Sequence, residues 1–369
     1  MKFTCSKSNL LTGVQIVSKA VPNKTTMSIL ECILVDATSD SIKLTANDME
    51  LGIETVIEGN IIEKGIIALD AKLFLEIVRK LPDNDITVES DASYKTTITC
   101  EKAKFNIIGK PGDDFTYLPK IEKLDSIMVS QFTLKEIIRQ TIFSIADNDT
   151  NKLMTGELFE VNDNILKVVA LDGHRISVRK IALKNSYDNK KVVVPGKTLN
   201  EVSKILSGDT DKDVVIFFTD KHIVFEFDNT VVVSRLIEGD YFNIDHMLSS
   251  DYETKVKINK KEFYDCIDRA TLLVKEGDKK PIILNITDES LELKISSTIG
   301  SMNESIDIAK NGKDLMIGFN PKFLIDALRV IDEEEIDIYL VNPKTPCFIK
   351  DKENKYTYMI LPVNFTTVS

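Results

Sequence analysis

The chain of 369 residues has no tryptophan, only three histidines (His174, His222 and His246) and only fifteen glycines. So few glycines leave little room for a Gly-rich ligand loop. There is no G-x-x-x-x-G-K-[ST] loop and no G-x-G-x-x-G after a strand, and H-E-x-x-H and G-x-S-x-G are missing too. No apolar run approaches the roughly 18 to 20 residues that cross a bilayer as a helix. The opening Met1-Lys2-Phe3-Thr4 lacks the apolar region of a signal peptide. Five cysteines (Cys5, Cys32, Cys100, Cys266 and Cys347) are scattered without a C-x-x-C pair. That scatter suits reduced, mostly buried thiols in a cytoplasmic protein rather than disulfides or a zinc centre. No metal, other cofactor or membrane partner is expected.

What is present is a globular composition, 43% hydrophobic and 28% charged. The length exceeds one ordinary core and suits two or three domains. Lys and Arg number 47 against 58 Asp and Glu, a net charge of −11. Taken as an average, such a surface repels a nucleic acid wrapped on its outside.

Three segments align without a gap: Ile66–Pro82, Lys191–Ser207 and Met316–Asp332, their starts 125 residues apart. Lys72, Lys197 and Lys322 then coincide, as do Glu76, Glu201 and Asp326, and Leu81, Leu206 and Ile331. Each copy reads as strand, turn, three-turn helix, acidic loop and second strand (Asp85–Glu89, Val214–Phe218, Ile336–Leu340). An amphipathic helix opens each unit, over Ser8–Ala20, Leu134–Ala146 and Lys260–Val274. Alternating strands follow, with turns expected at Ser39-Asp40, Asn162-Asp163-Asn164 and Asp288-Glu289. The expectation is an α+β chain of three repeated domains, 1–125, 126–252 and 253–369. Each would be an antiparallel sheet with two helices packed on one face.

On the second helix of the first copy, Leu73, Phe74, Ile77, Val78 and Leu81 fall within an arc of about 140°. Lys72, Glu76, Arg79 and Lys80 lie opposite. The base–acid–base column recurs as Lys197/Glu201/Lys204 and Lys322/Asp326/Arg329. For any one helix a solvated face with ion pairs is the favoured reading. Over residues 7–20, 72–80, 133–146, 197–206, 260–275 and 321–331, however, 15 basic residues meet 7 acidic ones, a net +8. The remainder then carries −19. Basic helices on an acidic body, without base-reading motifs, suit sequence-independent contact with phosphates.

His174 stands in Leu171-Asp172-Gly173-His174-Arg175, where Asp-Gly reads most simply as a hairpin turn. A catalytic role there needs a positioned partner, and spacing identifies none. The runs Asp113-Asp114 and Glu333-Glu334-Glu335 read as acidic loops. An enzyme with a site near His174, and a repeat scaffold that binds no DNA, stand as the alternatives to a DNA-binding scaffold.

With these residues in hand, the chain resembles the bacterial sliding clamp family, the beta subunit of DNA polymerase III. The resemblance spans essentially the whole length. It rests on Met1-Lys2-Phe3-Thr4, Leu171-Asp172-Gly173-His174-Arg175-Ile176, the triple repeat, and Tyr358-Met359-Ile360-Leu361-Pro362-Val363. It implies the DNA clamp fold as half of a closed, homodimeric, head-to-tail ring. Such a ring encircles double-stranded DNA as a processivity factor of DNA replication and has no catalytic activity of its own. The implied partners are the replicative polymerase, clamp loader, ligase and repair proteins, all docking through short extended peptides with a Gln and a terminal Leu-Phe.

Carried over position by position, the resemblance implies a peptide pocket at Met154, Leu171, Gly173, His174, Arg175, Ile176, Phe242, His246, Met247, Pro346, Met359, Ile360, Leu361, Pro362 and Val363. Methionine and aliphatic walls adapt to several ligands. From the residues alone, Met359–Val363 reads as a C-terminal edge strand. Implied DNA contacts are Lys24, Lys72, Arg79, Asn148, Lys197 and Lys204. The implied dimer interface sets Phe105 and Ile107 against Leu272 and Leu273, with Lys102 and Lys104 facing Glu304 and Asp307. The family's Phe-Pro-Asp-Tyr is replaced after Gly239 by Asp240-Tyr241-Phe242-Asn243-Ile244, and its arginine near the end is Asn364.

Overall fold

In the computed structural model, six α-helices among the described residues form where the 125-residue period predicts: α1 Lys7–Val17, α2 Ala71–Lys80, α3 Gln131–Thr141, α4 Gly196–Ile205, α5 Lys260–Thr271 and α6 Pro321–Val330. The structure describes residues 1–116, 118–119, 121–147, 150–248, 251–274 and 280–365. Short polar side chains cap the helix starts, satisfying backbone N–H groups that have no partner within the helix. Ser6 accepts from the Asn9 amide, Asp70 from Leu73, Asn259 from Glu262 and Asn320 from Lys322. The strands after the second helices cover Asp85–Ser90, Asp213–Phe218 and Glu335–Leu340.

The chain packs as two compact units. The first comprises residues 1–135 and 197–236. It holds a five-stranded sheet ordered Asn60–Glu63, Lys2–Ser6, Asp85–Ser90, Lys95–Cys100, Ala103–Ile108, and a nine-stranded one. The nine-stranded sheet is continuous because Thr230–Arg235 pairs antiparallel with Leu51–Ile57. The hydroxyls of Thr55 and Thr230 meet there at 2.9 Å. The second unit, residues 136–196 and 237–369, holds one ten-stranded sheet. Its halves join where Arg175–Arg179 pairs with Tyr356–Ile360.

Helices α5 and α6 cover one face of that sheet. Phe263, Cys266, Ile267 and Ala270 of α5 and Leu324, Ala327 and Leu328 of α6 enter a core with Val256, Leu284, Leu293, Ile317 and Ile349. All five cysteines are free and buried. Burial pushes the Cys5, Cys266 and Cys347 thiols up to about 12, which keeps them protonated and unreactive.

Two expectations fail. Asn162-Asp163-Asn164 is no turn between strands: Gly156–Leu171 runs through it as one strand, with register shifts on either side of Asp163. Asp163 takes a positive φ of 52° and pairs with Tyr187. The bulge lets turn-forming residues sit inside a ladder. Leu73 is 47% exposed while Phe74, Ile77 and Val78 are buried. It stands at the margin of the apolar arc, where the sheet no longer covers the helix.

Candidate peptide pocket and nucleic-acid interface

Several residues assigned to the peptide pocket meet in an apolar cluster on the second unit. Leu171 and Ile176 are opposite one another in the hairpin and meet Met359 from the C-terminal strand. Met154, Phe242 and Leu361 pack onto the cluster partly buried. Sequence reasoning missed its other buried members, Leu158, Val169, Val178, Val193, Tyr241, Ile244 and Phe348. The alternation along Gly156–Leu171 and the strand signal of Cys347–Lys350 were the only hints available.

The turn at Asp172–His174 is tight. Gly173 adopts a φ of 82°, a left-handed conformation that a side chain at this position would strain. The Asp172 carboxylate accepts from the amides of His174 and Arg175 at 3.0 and 3.1 Å. Gly173 and His174 are exposed at its tip, and the His174 ring stacks on Phe323, centroids 5.8 Å apart. The tail leaves the sheet beside it: Leu361 N–H donates to the His174 carbonyl at 2.9 Å and Val363 N–H to the Gly318 carbonyl at 2.8 Å. Phe365 lies so close to Gly318 that a Cβ there would come within 2.7 Å of its ring. Pro362, Val363 and Pro346 are partly buried, while His246 and Met247 stand exposed on the loop after Ile244.

Two residues assigned to the pocket lie elsewhere. Ile360 is buried in the core beneath α5 and α6, because successive strand residues face opposite sides and Met359 already faces the pocket cluster. Arg175 is 5% exposed and bonded within the protein, to Asp172, Asp326 and the Phe143 carbonyl.

Below the cluster lies an unusual acid. Glu157 is fully buried and neither carboxyl oxygen has a hydrogen-bond partner among the described residues; the neighbouring Thr141 hydroxyl donates to the Ile137 carbonyl instead. Burial drives its pKa well above the usual carboxylate range. Burial, and then the Glu157 charge, also raise the pKa of Tyr241.

Of the candidate phosphate contacts, Lys24 and Lys72 are exposed and form no ion pair among the described residues. Arg79, Lys197 and Lys204 are exposed but paired, with Glu76, Asp48 and Glu201 respectively. Asn148 lies outside the described residues. Three basic residues of the helix set serve the fold instead. Lys7, Lys135 and Lys260 donate to the carbonyls of Leu81, Leu206 and Ile331, just past the second helix of each repeat. The net +8 of the helices therefore overstates the charge left for a ligand.

Several sheet-edge strands lack a second strand partner among the described residues, and two open edges fall at the positions assigned to the dimer contact. Ala103–Ile108 ends the five-stranded sheet, with Lys104 and Phe105 exposed, Ile107 partly buried and Ile108 75% exposed; Lys102 precedes it, also exposed. In Gly300–Gly312, Thr254–Ile258 pairs only with residues 308–312, which leaves the outer edge of 300–307 open among the described residues. Leu272 nearby is 78% exposed, Leu273 is partly buried and Asp307 is exposed. Glu304 does not await a lysine: Arg269 grips it through Nε at 2.9 Å and through Nη2, which holds its carboxyl below the usual range.

Among the described residues no group of three His, Cys, Asp or Glu is placed to hold a metal. Three sheet-and-helix repeats with an apolar cluster beside the C-terminal strand and open sheet edges define a clamp-type scaffold. The family models for the DNA polymerase III beta subunit match at residues 1–119 (N-terminal domain), 128–243 (central domain) and 246–364 (C-terminal domain). The beta sliding clamp of Staphylococcus aureus is 35% identical over 374 residues, covering 98% of this chain and 99% of that one. A solved putative DNA polymerase III beta subunit from Eubacterium rectale is 74% identical with a TM-score of 0.96, covering 99% of this chain and 100% of its own. The solved Bacillus subtilis sliding clamp is 34% identical with a TM-score of 0.95 and the same coverage. The chain belongs to the DNA polymerase III beta subunit family. Its function is that of a DNA sliding clamp, a processivity factor without catalytic activity of its own.

Proposed function

We propose that two copies join head to tail into a closed ring around double-stranded DNA. The observation that carries this reading is the pair of open strand edges, Ala103–Ile108 and 300–307, each flanked by exposed apolar side chains. An unpaired edge with an apolar margin is a template for another strand. With Glu304 engaged by Arg269, the joint relies on backbone pairing and apolar burial, with little help from Lys102, Lys104 and Asp307. Domains 1–125, 126–252 and 253–369 would each contribute two helices to the ring's inner wall. Lys24, Lys72, Arg79, Asn148, Lys197 and Lys204 supply its weak, sequence-independent attraction to phosphates. A topological link needs no tight contacts, so the net −11 is no obstacle.

The apolar pocket around Leu171, Ile176, Phe242, Met247, Met359 and Leu361 takes short extended peptides. These come from the replicative polymerase, clamp loader, ligase and repair proteins of the cytoplasm. Retention on a nicked DNA circle tests the ring. The protein loaded by a clamp loader stays on the closed circle and is lost when the circle is cut to a linear duplex. Equal retention on both forms contradicts encirclement.

A further inference from the structure

In the first repeat Glu76 of α2 pairs with Arg79, and in the second Glu201 of α4 pairs with Lys204, each partner three residues along the same helix. Asp326 of α6 departs from this pattern. It forms no ion pair with Arg329 among the described residues; Arg329 reaches the Tyr264 hydroxyl at 3.4 Å instead. Asp326 accepts from Arg175 Nη1 at 2.7 Å, 151 residues away in sequence. An ion pair formed within the helix in two repeats is redirected in the third toward the hairpin turn of the pocket.

We infer that Arg175 is a positioning residue: held by Asp326, it fixes the Asp172–Arg175 turn and the pocket wall resting on it, without touching the peptide. This rests on the peptide-pocket reading. Each of the three guanidinium nitrogens donates within the protein. Nε donates to Asp172 at 3.0 Å, Nη1 to Asp326 and Nη2 to the Phe143 carbonyl, while Phe323 and Phe143 lie 4.6 and 5.4 Å from its carbon. At 5% exposure it has no face left for a ligand. From it a chain of contacts leads outward. Asp172 holds the amide of His174, the His174 ring lies on Phe323 of α6, and the His174 carbonyl receives Leu361 N–H. A planar fork can hold three partners in fixed directions, whereas a lysine offers one point charge.

The test uses the full-length protein and a fluorescent peptide with a Gln and a terminal Leu-Phe pair. Asp326→Asn, on α6 and outside the pocket, should weaken peptide binding about tenfold and speed hydrogen exchange at the Leu361 amide; Asp326→Glu should recover part of both. Arg175→Lys, which keeps the charge but loses the fork, should show the same two changes and serves if the Asn variant folds poorly. Unchanged peptide affinity and unchanged Leu361 exchange in folded variants overturn the inference. If the unaltered protein binds no peptide, the pocket reading fails by itself, and exchange at Leu361 still decides whether Asp326 positions the turn.

Discussion

Lys260 donates from Nζ to the carbonyl of Ile331 at 2.6 Å, and Lys135 does the same to Leu206 at 3.1 Å. With Lys7 and Leu81 the contact occurs in all three repeats. The lysine comes from the first helix of the repeat, and the acceptor is the carbonyl just past the second, where the helix dipole is negative and C=O groups lack partners. The cation satisfies the acceptor and locks the two helices together.

Lys260→Met therefore costs roughly 1 kcal/mol of stability, read as a lower midpoint in thermal or urea unfolding. Retention on nicked circular DNA is unchanged, because this ammonium faces a carbonyl. A loss of retention at full stability would place Lys260 among the phosphate contacts.

The paired and unpaired basic residues separate in the same assays. Lys72→Glu shortens the lifetime on a circle and leaves stability within about 0.5 kcal/mol, as for an exposed surface site. Lys197→Glu does both kinds of damage, because it sets a carboxylate against Asp48, whose side chain is only 7% exposed. A loss of roughly 1 to 3 kcal/mol accompanies the loss of retention. Equal stability effects at the two sites would contradict the Lys197–Asp48 pairing.

Glu157 gives stability a pH dependence of defined sign. Its folded pKa is raised, so the native state holds the proton more tightly than the unfolded chain. The favourable contribution is complete below the unfolded carboxylate pKa and is lost as pH rises through the folded value. In Glu157→Gln that slope disappears, so the variant gains on the parent as pH increases. Parallel urea-denaturation curves across this range, with no convergence or crossing, would count against a buried, unpaired acid.

If two copies join as proposed, Leu272→Asp or Ile108→Asp leaves a monomer at micromolar concentration where the unaltered protein is a dimer, measured by analytical ultracentrifugation. Each places a charge at an apolar margin of an open strand edge. Raising salt over moderate ionic strength leaves the unaltered dimer intact, since screening acts on ion pairs and the joint is mainly apolar. Dissociation by salt alone would point to an ion-paired joint.

The sequence by itself determined the repeat. Apolar residues at helical spacing, alternating strands and a fixed 125-residue period impose their elements locally, so all six helices and their following strands were legible. The residues that carry the family resemblance also marked out Leu171, Ile176 and Met359, which meet in one apolar cluster. Leu73 and the 162–164 bulge were not legible, because coverage by a sheet and continuity of a ladder depend on distant partners. Only the tertiary structure decided where the charges went. Composition counts Lys7, Lys135 and Lys260 with Lys72, and Asp326 with Glu76, yet their roles differ according to which carbonyl or guanidinium the fold brings within hydrogen-bonding distance. Charge pairing is settled by neighbours in space: the repeat preserves the partner of Lys7, Lys135 and Lys260 but not that of Asp326.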